Sequence, residues 1–116
     1  MKGLPKLLAR RDADGRTELD LEVQPDNAWF AGHFPQFAIL PGVVQIGWAA
    51  HFTRELHGLG PGVSGMEQVK FKRPILPGMR IMLTLKPDAG ARRVRYEYQD
   101  AESSYSSGVL QFGETP

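Results

Sequence analysis

Residues 30–43 read Phe-Ala-Gly-His-Phe-Pro-Gln-Phe-Ala-Ile-Leu-Pro-Gly-Val and concentrate most of the chemistry this chain can offer. His33 is held between Gly32 and the Phe34-Pro35 pair, and Pro41-Gly42 then opens a mostly apolar run. An imidazole is the side chain that takes or gives a proton near neutral pH. A Pro-Gly pair ahead of an apolar run marks a helix N-terminus, whose free backbone N–H groups favour negative charge. A titratable imidazole beside such a helix end, in greasy surroundings, suits a binding or catalytic site. The sequence contains no cysteine, which excludes disulfides, thiol catalysis and cysteine-held metals.

These residues need a frame, and the rest of the chain predicts one. Leu7–Arg10 and Leu19–Val23 flank Asp12-Ala13-Asp14-Gly15, residues suited to a hairpin turn. Residues 24–41 carry three prolines and a glycine and read as a long functional loop. A helix is expected from Pro41-Gly42 to about His57, stopped by Gly58 and Gly60, and apolar over most of its circumference, hence buried. Strands are expected at Gly65–Arg73, Met79–Lys86, Arg92–Gln99 and Ser104–Phe112, with short turns that imply antiparallel pairing. The sum is an α+β layer fold, one long helix against an antiparallel sheet. One sheet around one helix leaves edges uncovered, so pairing with a second copy is expected.

Composition sets the outer bounds. At 116 residues, 41% of them hydrophobic, the chain suits one compact domain spanning 1–116. A formal net charge of +1 gives no electrostatic case for nucleic acid or membrane binding. The N-terminus lacks the apolar core of a signal peptide, and the Val43–Phe52 tract is too short to span a bilayer. A soluble cytoplasmic domain is therefore expected.

Phe30-Ala31-Gly32-His33-Phe34-Pro35 followed by Ile39-Leu40-Pro41-Gly42-Val43 resembles the active-site segment of bacterial 3-hydroxyacyl-acyl-carrier-protein dehydratases. Val69-Lys70-Phe71-Lys72-Arg73-Pro74-Ile75-Leu76-Pro77-Gly78 resembles the same family's second landmark, a strand entering a tight Pro-Gly turn, and the similarity covers roughly residues 19–112. Val44-Gln45-Ile46 with Trp48 is similar to the branch associated with aryl polyene synthesis. The resemblance implies a hotdog fold, in which the sheet wraps the central helix, no cofactor, and an acyl carrier protein as the partner bearing the substrate. It also implies a departure. The family's helix carries an acid five positions after the Pro-Gly glycine, where this chain has Gly47; one turn on, where glutamine is common, stands His51.

Dehydrating a 3-hydroxyacyl thioester needs a base for the α-proton, a polariser for the carbonyl and an acid for the departing hydroxyl. His33 is the expected base, and the N–H groups of Gly42 and Val43 the expected cradle for charge on the carbonyl oxygen. For the acid, His51 lies four residues after Gly47 on the same helix face, with Glu67 on the next strand as the alternative and Glu55 a third. A bland reading of His51, a half-buried imidazole satisfied by a carbonyl, stands beside it; His57 reads as a solvated helix end. Phe34 and Phe37 are expected to line an acyl channel along with Trp29, or to be ordinary buried loop residues. Lys70, Lys72, Arg73 and Arg80 are the expected rim for an acidic carrier protein, whereas Arg92, Arg93 and Arg95 read as a solvated sheet face. The histidine spacing offers no three-ligand metal set. The dehydratase is expected to act as a homodimer, with a higher oligomer or a heterodimer as alternatives. Two other functions stay open: an acyl-binding subunit that has lost the acid and needs a different partner chain, and a thioesterase.

Overall fold

A computed structural model describes residues 3–30, 39–88 and 90–113. Strands β1 (Lys6–Ala13) and β2 (Arg16–Glu22) form the expected hairpin. Its tip is Asp14-Gly15, with φ of 54° and 74°, the paired positive angles of a two-residue turn that suits strand twist and that Asp-Gly accommodates. The loop that follows contains one 3-10 turn at Ala28–Phe30. Helix α1 then runs Gly42–His57. Gly58 ends it in the left-handed region at φ 68°, where its N–H reaches the Arg54 carbonyl at 3.1 Å.

Strands β3 (Val63–Phe71), β4 (Arg80–Asp88), β5 (Arg93–Gln99) and β6 (Ser104–Phe112) complete one six-stranded sheet in the order β1-β2-β4-β5-β6-β3. Every neighbouring pair is antiparallel. This is the expected helix wrapped by a sheet, the hotdog arrangement. Alternation decides which side chains face the helix. Leu19 and Leu21 of β2, Leu83 and Leu85 of β4, and Tyr96 and Tyr98 of β5 are all fully buried, as is Trp48 of the helix.

The helix departs from the expectation of burial all round. Val44, Gln45, Trp48, Ala49, Phe52 and Thr53 are buried, but Val43 is 76% exposed and Ile46, Gly47 and His51 are only half-buried. A single curved sheet reaches one side of a helix, and Val43, Gly47 and His51, spaced by four, mark the other side. The two sheet edges differ as well. The rim strand β1 is exposed throughout and mostly charged beyond Leu7 and Leu8, whereas the rim strand β3 exposes Val63, Met66 and Phe71.

The sheet is tight where β5 meets β6. Gly108 pairs with Tyr96, and a Cβ on Gly108 would stand 2.8 Å from the Tyr96 ring, which is itself fully buried. Gly108→Ala is therefore expected to destabilise the fold by about 1–3 kcal/mol, read as a lower urea midpoint. An unchanged midpoint would mean that the ring yields without strain.

Candidate active site

The site is built around the first turn of α1. Pro41 is the N-cap and provides no side-chain cap. The N–H groups of Val44 and Gln45 both turn back to the Pro41 carbonyl, at 3.0 and 3.1 Å. Among the described residues the N–H groups of Gly42 and Val43 have no acceptor, so the positive end of the helix dipole is open. It opens on a cavity of about 370 Å3, whose lining includes Ile39, Leu40, Gly42 and Gln45 on one side and Phe71, Lys72 and Arg73 on the other. The Phe71 ring packs close over Gly42, so any side chain there would have to push the ring aside. A Cβ on it would lie 2.6 Å from Cζ of Phe71.

The predicted site residues fall into three groups. Gly42 lies in the cavity wall and Val43 follows it, exposed, while Gly47 and His51 continue down the same helix side. His33, Phe34 and Phe37 lie outside the described residues. Glu67 stands on the sheet surface at the β3 rim, 46% exposed, where it accepts from the Arg93 guanidinium at 2.8 Å and from the Gln111 amide. It lies outside the cavity lining.

The His51 ring packs edge-on to Phe52, with centroids 5.4 Å apart. Burial lowers its pKa below the ordinary histidine value of 6.5, against an opposing pull from Glu55. The ring is therefore mostly neutral at pH 7, with one N–H still to donate. His57 is not the free, solvated helix end expected. Its Nε2 is 2.9 Å from the Thr17 hydroxyl, which donates to Asp12 at 2.6 Å, so the β1–β2 turn is tied to the helix C-terminus.

The basic residues divide by their partners. Arg80 lies 3.4 Å from Glu22, Arg93 pairs with Glu67, and Arg11 pairs with both Glu18 and Asp20. Among the described residues Lys70, Lys72 and Arg73 form no ion pair, and the last two stand at the cavity mouth. A larger hollow of about 500 Å3 is bordered by Leu8, Asp20, Met82 and Asp100. Both of its carboxylates are already engaged, Asp20 by Arg11 and Asp100 by the Tyr105 hydroxyl and two backbone N–H groups. Hydrogen bonds to the charged form hold both carboxyls below the usual carboxylate range, which suits structure better than proton transfer.

Sequence reading passed over one part of this site. Gln45 is 3% exposed, donates its amide to the Leu40 carbonyl at 3.1 Å and accepts from the Ser106 hydroxyl at 2.6 Å. Its main-chain carbonyl accepts from the Tyr98 hydroxyl at 2.6 Å. The available signal was a lone amide inside the apolar run Gly42–Ala50.

Comparison with known proteins gives concordant results. A family model described as ApeI-like, ApeI dehydratase, matches residues 9–109. The dehydratase heterocomplex ApeI:P from Xenorhabdus doucetiae superimposes with a TM-score of 0.83 at 32% identity, covering 92% of this chain and 96% of that one. An uncharacterized protein from Erwinia carotovora subsp. atroseptica gives a TM-score of 0.78 at 34% identity, covering 93% and 94%. The dehydratase domain of PpsC from Mycobacterium tuberculosis, at 17% identity and a TM-score of 0.69, covers all of this chain and 46% of that one, and shares the fold. By sequence, the 3-hydroxyacyl-[acyl-carrier-protein] dehydratase FabZ of Streptococcus sanguinis is 32% identical over 71 residues, 55% of this chain and 51% of that protein. The chain thus spans about half the length of that relative, and the FabZ of Clostridium botulinum, 34% identical over 87 residues, is matched over 61% of its length.

The environment of His51 is open to direct measurement. Its folded pKa lies below the unfolded value, so the unfolded state binds the proton more readily and stability falls as pH drops through about 6.5. An NMR titration of the histidine Cε1–H signals is expected to place His51 below that value. A midpoint at or above it would mean that a carboxylate outweighs burial at this position.

Proposed function

The chain belongs to the ApeI-like dehydratase family, and from that premise we propose that it removes water from a 3-hydroxyacyl thioester to give the trans-2-enoyl thioester. The observation that carries the proposal is the first turn of α1, where among the described residues the Gly42 and Val43 N–H groups have no acceptor and Gly42 lines a cavity of about 370 Å3. His33 takes the proton from C2. The electron pair moves toward the thioester carbonyl, whose oxygen gains negative charge against the N–H groups of Gly42 and Val43. The C3–O bond then breaks, the C2–C3 double bond forms, and the hydroxyl leaves as water with a proton from the acid.

Gly47 cannot supply that proton. His51 lies four residues further along the helix, about 6 Å in axial rise, so its protonated form, the imidazolium, gives the proton through a relay, a water in the space a side chain at 47 would take, and returns to the neutral ring. Glu67, paired with Arg93 and Gln111, is the weaker alternative. We assign the thioester to an acyl carrier protein because Lys72 and Arg73, which form no ion pair among the described residues, line the cavity, a placement that steers an acidic partner. Lys70, likewise without an ion pair among the described residues, extends the same rim, and Arg80, beside Glu22, is its outlying member.

The apolar β3 rim and the exposed Val43 side of the helix support pairing with a second copy. The X. doucetiae relative is a heterocomplex, so a related chain is the other candidate for that face. Val44-Gln45-Ile46 with Trp48 supports the aryl polyene branch, and we place the reaction in the cytoplasm. Among the described residues no helix is long and apolar enough to cross a membrane. A second reading, an acyl-binding subunit without turnover, draws on the missing acid at Gly47 alone.

Purified protein given a 3-hydroxyacyl carrier protein is expected to form the enoyl thioester, seen by mass spectrometry, and His33→Ala to lose about 10²–10⁴-fold in rate. Binding without turnover, with activity appearing in Gly47→Glu, would establish the binding-subunit reading; free acid as product would establish a thioesterase. Lys72→Glu with Arg73→Glu is expected to lower kcat/KM for the carrier-bound substrate about tenfold at low salt, with the difference shrinking as salt rises. An equal loss on a short pantetheine thioester would show that these residues act on something other than the carrier.

A further inference from the structure

The helix start is held by more bonds than a helix needs. The Val44 and Gln45 N–H groups already close on the Pro41 carbonyl, yet Gln45 adds three other bonds, to Leu40, Ser106 and Tyr98. Ser106 and Tyr98 are both fully buried and face each other across β5 and β6 in register. One cross-strand pair therefore grips both the side chain and the main chain of one helical residue. Burial holds the Tyr98 phenol well above its ordinary pKa, so it stays a donor. An apolar side chain at 45 would fill this space without any need for partners, whereas a buried amide is tolerated only when bonded.

The bond to Leu40 shows what the arrangement accomplishes. The Leu40 N–H donates to the Ile75 carbonyl at 2.8 Å and its carbonyl accepts from Gln45, so both peptide planes flanking Leu40 are fixed. Pro41 follows with φ at −59°, set by its ring. The direction in which the chain enters Gly42 is thereby determined.

We propose that Gln45 is a positioning residue: through Leu40 and the Tyr98–Ser106 pair it aims the Gly42 and Val43 N–H groups into the cavity. The inference rests on the reading of that cavity as the thioester site. Because the cradle acts on charge developing in the transition state, loosening it lowers kcat more than it raises KM.

Gln45→Glu tests the idea. A carboxylate still accepts from Ser106 but cannot donate to the Leu40 carbonyl until it is protonated, and burial beside a carbonyl oxygen raises its pKa. Relative to the unaltered protein, kcat is expected to fall about tenfold near pH 8 and to recover as pH falls toward about 5.5, with KM little changed. Gln45→Met is expected to lose the same activity at every pH. Amide hydrogen exchange supplies a readout that does not need turnover. In Gln45→Glu near pH 8, Leu40, Val44 and Gln45 are expected to exchange about tenfold faster while Trp48–Phe52 do not. Uniform acceleration, no local change, or a loss of kcat that ignores pH would overturn the proposal. If the unaltered protein makes no enoyl product, the dehydratase reading falls and the exchange pattern still decides the role of Gln45. Should Gln45→Glu fail to fold, Ser106→Ala removes one anchor, and a first turn that exchanges no faster in it would equally overturn the proposal.

Discussion

A six-stranded sheet can curl around only one side of a sixteen-residue helix, and most of what distinguishes this molecule follows from that limit. The covered side of α1 carries Trp48, Ala49, Phe52 and the bonded Gln45, packed against Leu83, Leu85, Tyr96 and Tyr98. The uncovered side carries Val43, Gly47 and His51. At the helix N-terminus, among the described residues, two N–H groups have no acceptor, and Gly42 lies in the wall of the adjoining cavity. Had the sheet closed over the helix start, those groups would need internal partners and there would be no site.

The same incompleteness sorts the charges. Around β1 and β2, arginines are matched to carboxylates, as Arg11 is to Asp20 and Glu18, so that surface presents little net field. At the cavity the balance changes, because Lys72 and Arg73 follow the last residue of β3 and no carboxylate pairs with them among the described residues. Their main-chain N–H groups both donate to the Tyr105 carbonyl, at 2.9 and 3.1 Å. The two residues are thus held by the backbone, and the Lys72 ammonium has only a long 3.5 Å contact to the Ser104 hydroxyl. Further along the helix His51 stays mostly uncharged at neutral pH because burial beside Phe52 outweighs Glu55. An anion-seeking helix end beside Ile39, Leu40 and Phe71 suits chemistry in which charge forms briefly on a carbonyl oxygen.

Much of this was legible in the residues. Alternation in Leu19-Asp20-Leu21-Glu22-Val23, the Asp14-Gly15 turn, and Pro41-Gly42 with Gly58 as helix limits are local signals, because turns and caps are decided by backbone geometry over a few residues. The His33 and Gly42 segments and the glycine at 47 were readable for the same reason, since motif spacing is a property of the chain. Glu67 was less legible. Its place on a strand was foreseeable, but its engagement by Arg93 and Gln111 depends on β3 lying beside β6, a pairing of strands far apart in sequence.

The sequence by itself determined the elements, their order, the spacing of the His33 and Pro41-Gly42 segments, and the glycine at position 47, all of which reside in short stretches. Only the tertiary structure decided which side of α1 is covered, which cations are unpaired, and that Gln45 is held by Tyr98 and Ser106 from more than fifty residues away. The physical reason is that burial, pairing and hydrogen bonding of side chains depend on which strands become neighbours. The order β1-β2-β4-β5-β6-β3 is a consequence of the whole chain minimising its exposed apolar surface at once.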